Sequence, residues 1–215
     1  MSTRIPAPKT AMRKAPRQAR SRATVEAITV AGARVLGERG WAGFTTNEVA
    51  VVAGVSIGSL YQYFPNKLSL IDAIRRRHFD DVLAVVRSAD AGPASLPQRA
   101  GELVRGMVAA HDMHPALHRV LLEEVPNDDA SKAAHHTFEA EYLERYRAFI
   151  ATHMGRAGAS GEIAARVLSA AIEGVIHDAA CRGTLTSPEL ERELVDLICA
   201  YLQGAGSRDD GRPRR

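Results

Sequence analysis

The sequence predicts an all-α protein. Apolar residues recur every three to four positions along most of the 215-residue chain, and no segment shows the strict alternation of a half-buried strand. Most proline and glycine residues fall between these periodic segments rather than inside them. Because 46% of the residues are hydrophobic, the chain can bury a full core and form one or two compact domains.

The first predicted helix spans residues 21–39 and ends before Gly40, a residue suited to terminate a helix. Trp41 and Phe44 are expected to fill the core between this helix and the next. The apolar residues that give the helix its inner face are Val25, Ile28, Val35 and Leu36.

Residues 45–64 predict two short helices joined by a tight turn. Thr45 and Glu48 have the spacing of a capping box, which favours a helix start at this point. Gly54 permits the left-handed turn that ends the first helix, and Ser56 is a natural N-cap for the second. Two short helices at a steep angle form a shape that fits the major groove of DNA.

The inner faces of these two short helices follow from their apolar residues. Val49 and Val52 are expected to point into the core from the first helix, and Leu60 and Phe64 from the second. The outer face of the second helix is then small and polar, which suits contact with base edges.

The remaining elements are also helical. Asn66 is expected to cap a fourth helix that reaches about Arg87, long enough to leave one domain and enter the next. Residues 91–93 then break the pattern. The later helical patterns cover residues 96–113, 115–124, 131–155, 161–182 and 187–203.

The charge is distributed unevenly along the chain. The formal net charge is +3, but residues 1–80 hold 13 Lys and Arg against 5 Asp and Glu, whereas residues 81–207 hold 11 against 18. The N-terminal part is therefore suited to a polyanion. The basic arm over residues 1–20 is expected to be disordered, and it either aids solubility or lies along DNA phosphates.

The segment that starts at Thr45 resembles the DNA-binding domain of the TetR family of transcriptional regulators. The resemblance covers about residues 21–70 and predicts a symmetric dimer that reads two half-sites. Residues after about 90 carry no comparable motif. The matching positions are Thr45–Thr46, Glu48–Val49–Ala50, Ala53–Gly54–Val55–Ser56, Gly58, Leu60–Tyr61–Gln62–Tyr63–Phe64 and Lys67.

The resemblance implies four regions along the chain. They are the arm over residues 1–20, a helix-turn-helix domain over 21–80, a helical effector-binding and dimerisation domain over 81–206, and a disordered tail over 207–215. The implied partners are double-stranded DNA with a palindromic operator, a second copy of the chain, and a small-molecule effector. Neither a cofactor nor a membrane is expected.

The candidate base-reading residues lie on the second short helix. Ser59 and Gln62 can reach base edges, Ile57 suits a thymine methyl group, and Gly58 permits close approach to the groove. Asn47 joins this set through its match to the family pattern.

The candidate phosphate contacts also follow from the family pattern, and some of these residues could instead have a purely structural role. Thr46 could act simply as a second cap, and Tyr61 could be a core aromatic. Thr45 and Ser56 are caps whose helix N-termini face phosphates in this interpretation. The full phosphate-contacting set is Thr46, Tyr61, Tyr63 and Lys67.

The second domain offers candidates for dimerisation and effector binding. Small and apolar residues on the last two helices suggest the dimer contact, which would form a four-helix bundle: Val167, Ala171, Gly174, Val175, Leu194, Leu197, Ile198 and Tyr201. Aromatic residues and histidines suggest either core packing or a pocket wall: Phe138, Tyr142, Tyr146, His111 and His177.

Other functional classes find little support. His111, His114 and His118 have helical spacing, but Pro115 interrupts the run and no ligand set is complete, so no metal site is expected. No catalytic motif is evident, so the chain is not expected to be an enzyme. The resemblance to the TetR family therefore implies a cytoplasmic bacterial repressor. The alternatives are a ligand-independent or nucleoid-organising DNA-binding protein on the same fold, and an all-α ligand-binding or enzymatic protein whose basic end meets acidic partners.

Overall fold

The structure is a computed structural model that describes residues 19–89, 94–126, 129–154 and 159–206. Over these ranges every regular element is a helix and no strand occurs, which confirms the all-α prediction. The helices are α1 (Ala19–Gly43), α2 (Thr46–Val52), α3 (Ile57–Tyr63), α4 (Lys67–Ala89), α5 (Leu96–Asp112), α6 (Leu117–Arg119) with a π-helical continuation (Val120–Glu124), α7 (Asp129–Met154), α8 (Ala159–Arg182) and α9 (Pro188–Gly206).

The chain forms two compact units whose boundary falls inside α4. Among the described residues, the first unit comprises those up to His78 together with Ala116–Pro126, and the second comprises those between Phe79 and Pro115 and those from Asp129 onward. The sequence did not predict that Ala116–Pro126 would leave the second part of the chain and fold with the first. The predicted basic arm (residues 1–18 of it) and the tail over 207–215 lie outside the described residues.

The first unit is built around the inner faces of α1 to α4. Phe44, Leu60 and Phe64 are buried as predicted, and Trp41 packs at the edge of the same core. The returning segment contributes a further wall to this core: Leu117, Val120, Leu121 and Val125. The helix-turn-helix region is therefore completed by residues far away in sequence.

Helix α1 does not stop at Gly40 as predicted but continues to Gly43 across a kink. Gly40 has φ +64°, a left-handed backbone conformation that residues with a side chain rarely adopt. The regular part of the helix thus ends where the sequence indicated. The residues after the kink include Trp41, which packs against the core of the first unit.

The second unit buries the apolar faces of α5, α7, α8 and α9 around the end of α4. The aromatic stripe of α7 lies in this core, with stacked rings for Phe138 and Tyr142 at a centroid distance of 5.4 Å. Gly106 of α5 meets α4 closely, because a Cβ there would lie 2.6 Å from Val85. Among the described residues, no helix combines the length and apolarity needed to cross a membrane.

Candidate nucleic-acid interface

The two short helices begin at the predicted caps. The Thr45 hydroxyl accepts a hydrogen bond from the backbone N–H of Glu48 at 3.2 Å, and the Ser56 hydroxyl accepts one from Ser59 N–H at 3.1 Å. The Glu48 carboxylate accepts a hydrogen bond from Nε of Arg39 at 3.1 Å. Each cap satisfies one backbone N–H at its helix start, so both helices begin where the local sequence directs.

Gly54 shapes the turn between these helices. Its φ is +66°, and its N–H bonds the carbonyl of Val51 at 3.1 Å while Val55 N–H bonds that of Ala50 at 3.0 Å. This pair of hydrogen bonds is a Schellman motif, which ends α2 and redirects the chain into α3.

Helix α3 presents most of the predicted reading residues outward. Ile57, Gly58 and Gln62 are exposed, whereas Ser59 is half-buried with its hydroxyl 2.9 Å from that of Ser56. Leu60 on the opposite face is fully buried. A Cβ placed on Gly58 would meet only the Ser56 hydroxyl, at 3.8 Å, so nothing inside the described structure requires glycine at this position.

Two of the predicted phosphate-contacting residues lie side by side. The hydroxyls of Thr46 and Tyr61 are 2.9 Å apart, joining the first turn of α2 to the outer flank of α3. Tyr61 is exposed, which does not fit the alternative of a core aromatic, whereas Tyr63 is half-buried against the core. Asn47, in the same first turn of α2, is also exposed. These side chains form one polar surface across both helices.

Lys67 does not project freely from this surface. Its ammonium donates to the Trp41 carbonyl at 3.1 Å and lies 3.6 Å from the centroid of the Trp41 ring. Burial lowers the pKa of Lys67. These contacts give Lys67 a structural role, and a phosphate would have to share its remaining donors with Trp41.

The outer face of α2 differs from the expectation in one residue. Val52 was expected in the core, but it is 43% exposed, and Val51 beside it is 80% exposed. Val49 and Ala50 supply the buried face instead. The expectation for Val52 was therefore wrong.

The candidate effector residues lie in the second unit. Phe138, Tyr142 and Tyr146 are buried in its core, and the two tyrosine hydroxyls are 3.4 Å apart. Tyr142 also hydrogen-bonds Glu173, a half-buried carboxylate on α8 that the sequence analysis missed. Burial raises the pKa of Glu173, and the charge of Glu139 adds to this effect, while the bond from Tyr142 opposes it. The sequence signal that could have identified Glu173 is its position four residues before His177, which places both side chains on the same face of α8.

The two candidate histidines face each other in the same unit. The rings of His111 and His177 are 5.2 Å apart in a T-shaped arrangement, and Nδ1 of His111 lies 2.8 Å from the Met107 carbonyl. Burial lowers the pKa of His177 to about 4, and the charge of His111 adds to this shift. Burial also lowers the pKa of His111. Both shifts favour the neutral form of the ring.

A small cavity lies next to this group of residues. Among the five candidate effector residues it is lined by Tyr146 alone, and its space is of the order of a single water molecule. Arg145 provides its charged wall. The other lining residues are Val86, Ala89, Leu103 and Phe149. An organic effector would therefore fit this cavity only if the surrounding side chains moved.

The candidate dimer residues divide into three groups by their burial. Leu194 and Ile198 are fully buried in the core of their own unit, so their side chains have no surface to offer and their assignment to an interface is corrected. Ala171 and Tyr201 are half-buried. The exposed candidates are Val167, Gly174, Val175 and Leu197, and Ile163, exposed one turn before Val167, extends their row.

Comparisons with known proteins agree on one family. Residues 28–74 match the model described as bacterial regulatory proteins of the tetR family, and residues 95–202 match the model of a tetracyclin repressor-like C-terminal domain. The transcriptional activator FasR of Mycolicibacterium smegmatis is 39% identical over 62 residues, which is 29% of this chain and 28% of FasR. This chain therefore aligns with less than a third of that relative's length.

Several solved structures of transcriptional regulators share the fold of this chain. A tetR-family regulator from Streptomyces coelicolor has a TM-score of 0.69 at 20% identity, covering 87% of this chain and 83% of that chain. The complex of SmeT with triclosan has a TM-score of 0.61 at 23% identity, covering 83% and 90%. At these identities the likeness establishes a common fold.

Proposed function

Because the chain belongs to the TetR family of bacterial transcriptional regulators, we propose that it is a homodimeric repressor that a small-molecule effector releases from a palindromic operator. The observation that carries the proposal is the surface of α3. It exposes Gly58 and Gln62 beside the joined hydroxyls of Thr46 and Tyr61. We assign no enzymatic role to the chain and place it in the bacterial cytoplasm.

In this proposal α3 enters the major groove and α2 crosses the backbone. Gln62 pairs with an adenine edge, Ile57 contacts a thymine methyl group, and Asn47 reaches a further base edge. The hydroxyls of Thr46 and Tyr61 bind phosphates, together with the half-buried Tyr63. Thr45 and Ser56 place the N-termini of α2 and α3, whose positive dipole ends favour the same phosphates.

The exposed row on α8 supports dimerisation. Val167, Gly174 and Val175 leave apolar surface and open space on one helix face, and Leu197 adds to it from α9. A second copy of the chain would cover this surface with the same row, as a two-fold interface requires. Two recognition helices would then address half-sites about 34–36 Å apart, one helical turn of DNA.

Effector control rests on the second unit and on the family. Tyr142, Tyr146, Glu173 and the two histidines place hydrogen-bonding groups within an apolar helical core, and the related SmeT is known in complex with triclosan. We propose that an effector binds among these side chains after they rearrange. It would release DNA by preferring a conformation with lower operator affinity.

The sign of regulation has one competing candidate. The relative FasR is a transcriptional activator, and its similarity to this chain favours activation as the second possibility. A ligand-independent or nucleoid-organising DNA-binding protein on the same fold is the other alternative, and no effector would release it from DNA. In vitro transcription from a bound promoter, with and without the protein, separates repression from activation.

The decisive experiment measures sequence preference. The full chain is used to enrich duplexes from a random-sequence library, and the affinity for the best duplex is compared with a scrambled one at fixed salt by fluorescence anisotropy. We expect a preference of about 10³ or more and an enriched sequence that is palindromic. Equal affinity for both duplexes would favour the nucleoid-organising alternative.

Gln62→Ala tests the assignment of base reading on the same duplexes. Loss of a side chain that pairs with a base should reduce affinity for the enriched duplex by about 1–3 kcal/mol and leave affinity for the scrambled one nearly unchanged. Equal losses on both duplexes would mean that Gln62 contacts the DNA backbone instead.

A further inference from the structure

Both backbone polar groups of Trp41 are bound by charged side chains from distant parts of the first unit. The Trp41 N–H donates to Oε2 of Glu124 at 3.0 Å, and the Trp41 carbonyl accepts from Nζ of Lys67 at 3.1 Å. The anion thus meets the donor and the cation meets the acceptor, which is the stronger class of hydrogen bond. We call this arrangement of Gly40, Trp41, Lys67 and Glu124 the Trp41 corner.

Glu124 is held in a fixed orientation within the corner. Its second oxygen, Oε1, accepts a hydrogen bond from Nη1 of Arg119 at 2.9 Å. The hydrogen bond from Trp41, aided by the hydrogen bond and the charge of Arg119, lowers the pKa of Glu124 against an opposing effect of burial, so the carboxylate stays ionised. A Cβ on Gly40 would lie 2.9 Å from Oε2, so the carboxylate occupies the space that a side chain there would need.

The Trp41 corner lies directly before the DNA-contacting helices. From Trp41 the chain passes the buried Phe44 and reaches Thr45, the cap of α2. The carboxylate of Glu124 therefore bears on where α2 begins, and the Thr46–Tyr61 contact transmits that position to α3. Glu124 itself comes from the segment Ala116–Pro126, which returns to this unit from later in the chain.

We propose that Glu124 is a positioning residue for DNA recognition, acting through the backbone of Trp41 and not by contact with DNA. The inference rests on the proposed function, because it assumes that the surface of α2 and α3 binds the operator. Electrostatics alone predicts the opposite effect of mutation: loss of an acidic residue should strengthen binding to a polyanion. Weaker binding after its removal would therefore identify positioning.

The test uses the full chain and the duplex that the wild type enriches from a random library. Glu124→Ala removes the acceptor, Glu124→Asp keeps the charge but shortens the reach, and Glu124→Gln keeps the reach and loses the charge. Glu123→Ala is the matched control, since Glu123 is acidic, its side chain is 66% exposed and it pairs with Arg119 at 3.6 Å.

We expect Glu124→Ala and Glu124→Asp to raise the Kd for this duplex about tenfold, the scale of one lost hydrogen bond to a charged group. Glu124→Gln should lose less affinity than Glu124→Asp, because its amide oxygen still accepts from Trp41 N–H, although its amide nitrogen cannot accept from Arg119. Glu123→Ala should bind as tightly as the wild type or more tightly. The slope of log Kd against log salt should not change in any variant, because no phosphate contact is lost.

Trp41 is the single tryptophan of the chain, so its fluorescence reports on the corner directly. Its emission maximum and its quenching by acrylamide should change in Glu124→Ala and Glu124→Asp but not in Glu124→Gln or Glu123→Ala. If Glu124→Ala fails to fold by circular dichroism, the pair of Asp and Gln variants decides the question.

Several results would overturn the inference. These are a Glu124→Ala variant that binds like Glu123→Ala, a Gln variant that loses as much affinity as the Asp variant, or weakened binding without a change in Trp41 emission. If instead the wild type enriches no sequence, the proposed function has failed, and the two failures are thereby distinguished.

Discussion

Gly58 is the residue whose chemistry is least explained by the fold alone. Glycine within a helix costs about 0.5–1 kcal/mol relative to alanine, and a Cβ at this position would find free space on the protein side. Because glycine destabilises this helix and no packing contact in the described structure requires it, we expect a contact with another molecule to require it. The proposed close approach to DNA supplies such a reason.

Gly58→Ala should therefore separate stability from binding. We expect the free energy of unfolding to rise by up to about 1 kcal/mol, because the helix gains propensity, while affinity for the enriched duplex falls about tenfold. Urea titration and fluorescence anisotropy measure the two quantities. Gly204→Ala is the control, since Gly204 is also helical with open space around it, and it should leave DNA affinity unchanged.

His177 gives a second prediction at this scale. Burial lowers its pKa to about 4 in the folded protein from an ordinary value of 6.5. As the pH falls below 6.5, the imidazole of His177 therefore binds a proton in the unfolded chain but stays neutral in the folded one. Stability should decrease between about pH 6.5 and 4, by about 1–3 kcal/mol for this group, and change little more from it below that range.

Urea titrations of the wild type and His177→Gln across this range measure the effect. The Gln variant should lose less stability on acidification, because it has no ring to protonate. His136→Gln, at an exposed position on α7, is the control. Identical pH dependence in the wild type and His177→Gln would show that His177 is not the residue responsible.

At the scale of elements, the caps and turns were predictable because they depend on neighbouring residues only. Thr45, Ser56 and Gly54 act in the structure as the sequence indicated. The buried side of α2 depends instead on tertiary contacts, which the local sequence does not specify. In a helix of seven residues, the spacings 49–52 and 49–53 are nearly equivalent, and tertiary contacts place Val52 outside.

Gly54→Ala tests the turn between α2 and α3. A Cβ would meet nothing within 4 Å, so the cost comes from φ +66° alone. We expect a loss of about 1–2 kcal/mol in the free energy of unfolding, the cost of placing alanine in the left-handed region. Gly54→Asn should lose less, because asparagine tolerates this conformation better. Equal stability of both variants and the wild type would contradict this account of the turn.

At the scale of the whole molecule, core and interface residues could not be separated by sequence. Leu194 and Leu197 belong to the same apolar pattern in α9, yet the first is buried in its own unit and the second is 44% exposed. An apolar sequence pattern does not show whether a helix face is covered by the same chain or by a second copy of it. The predicted set of dimer residues was therefore too broad.

Val167→Glu combined with Val175→Glu should produce a monomer. Charges placed on the exposed apolar row would be desolvated in a two-fold interface, at a cost the contact cannot offset. Sedimentation velocity reports the oligomeric state, and affinity for the palindromic duplex should fall because only one half-site can be held at a time. Val51→Glu is the matched control, since Val51 is 80% exposed in the other unit, and it should sediment like the wild type. A dimer that survives the double substitution would place the interface elsewhere.

The return of Ala116–Pro126 to the first unit has a consequence for how the protein can be cut and recombined. A fragment that ends after α4 would lack Leu117, Val120 and Leu121 and would expose the core that they cover. The N-terminal DNA-binding part, α1 to α4, is thus not a complete folding unit that can be moved to another protein by itself. Chimeras that exchange only the N-terminal part between relatives should aggregate unless this later segment is exchanged too, and a growing chain on the ribosome cannot complete this part until that segment has emerged.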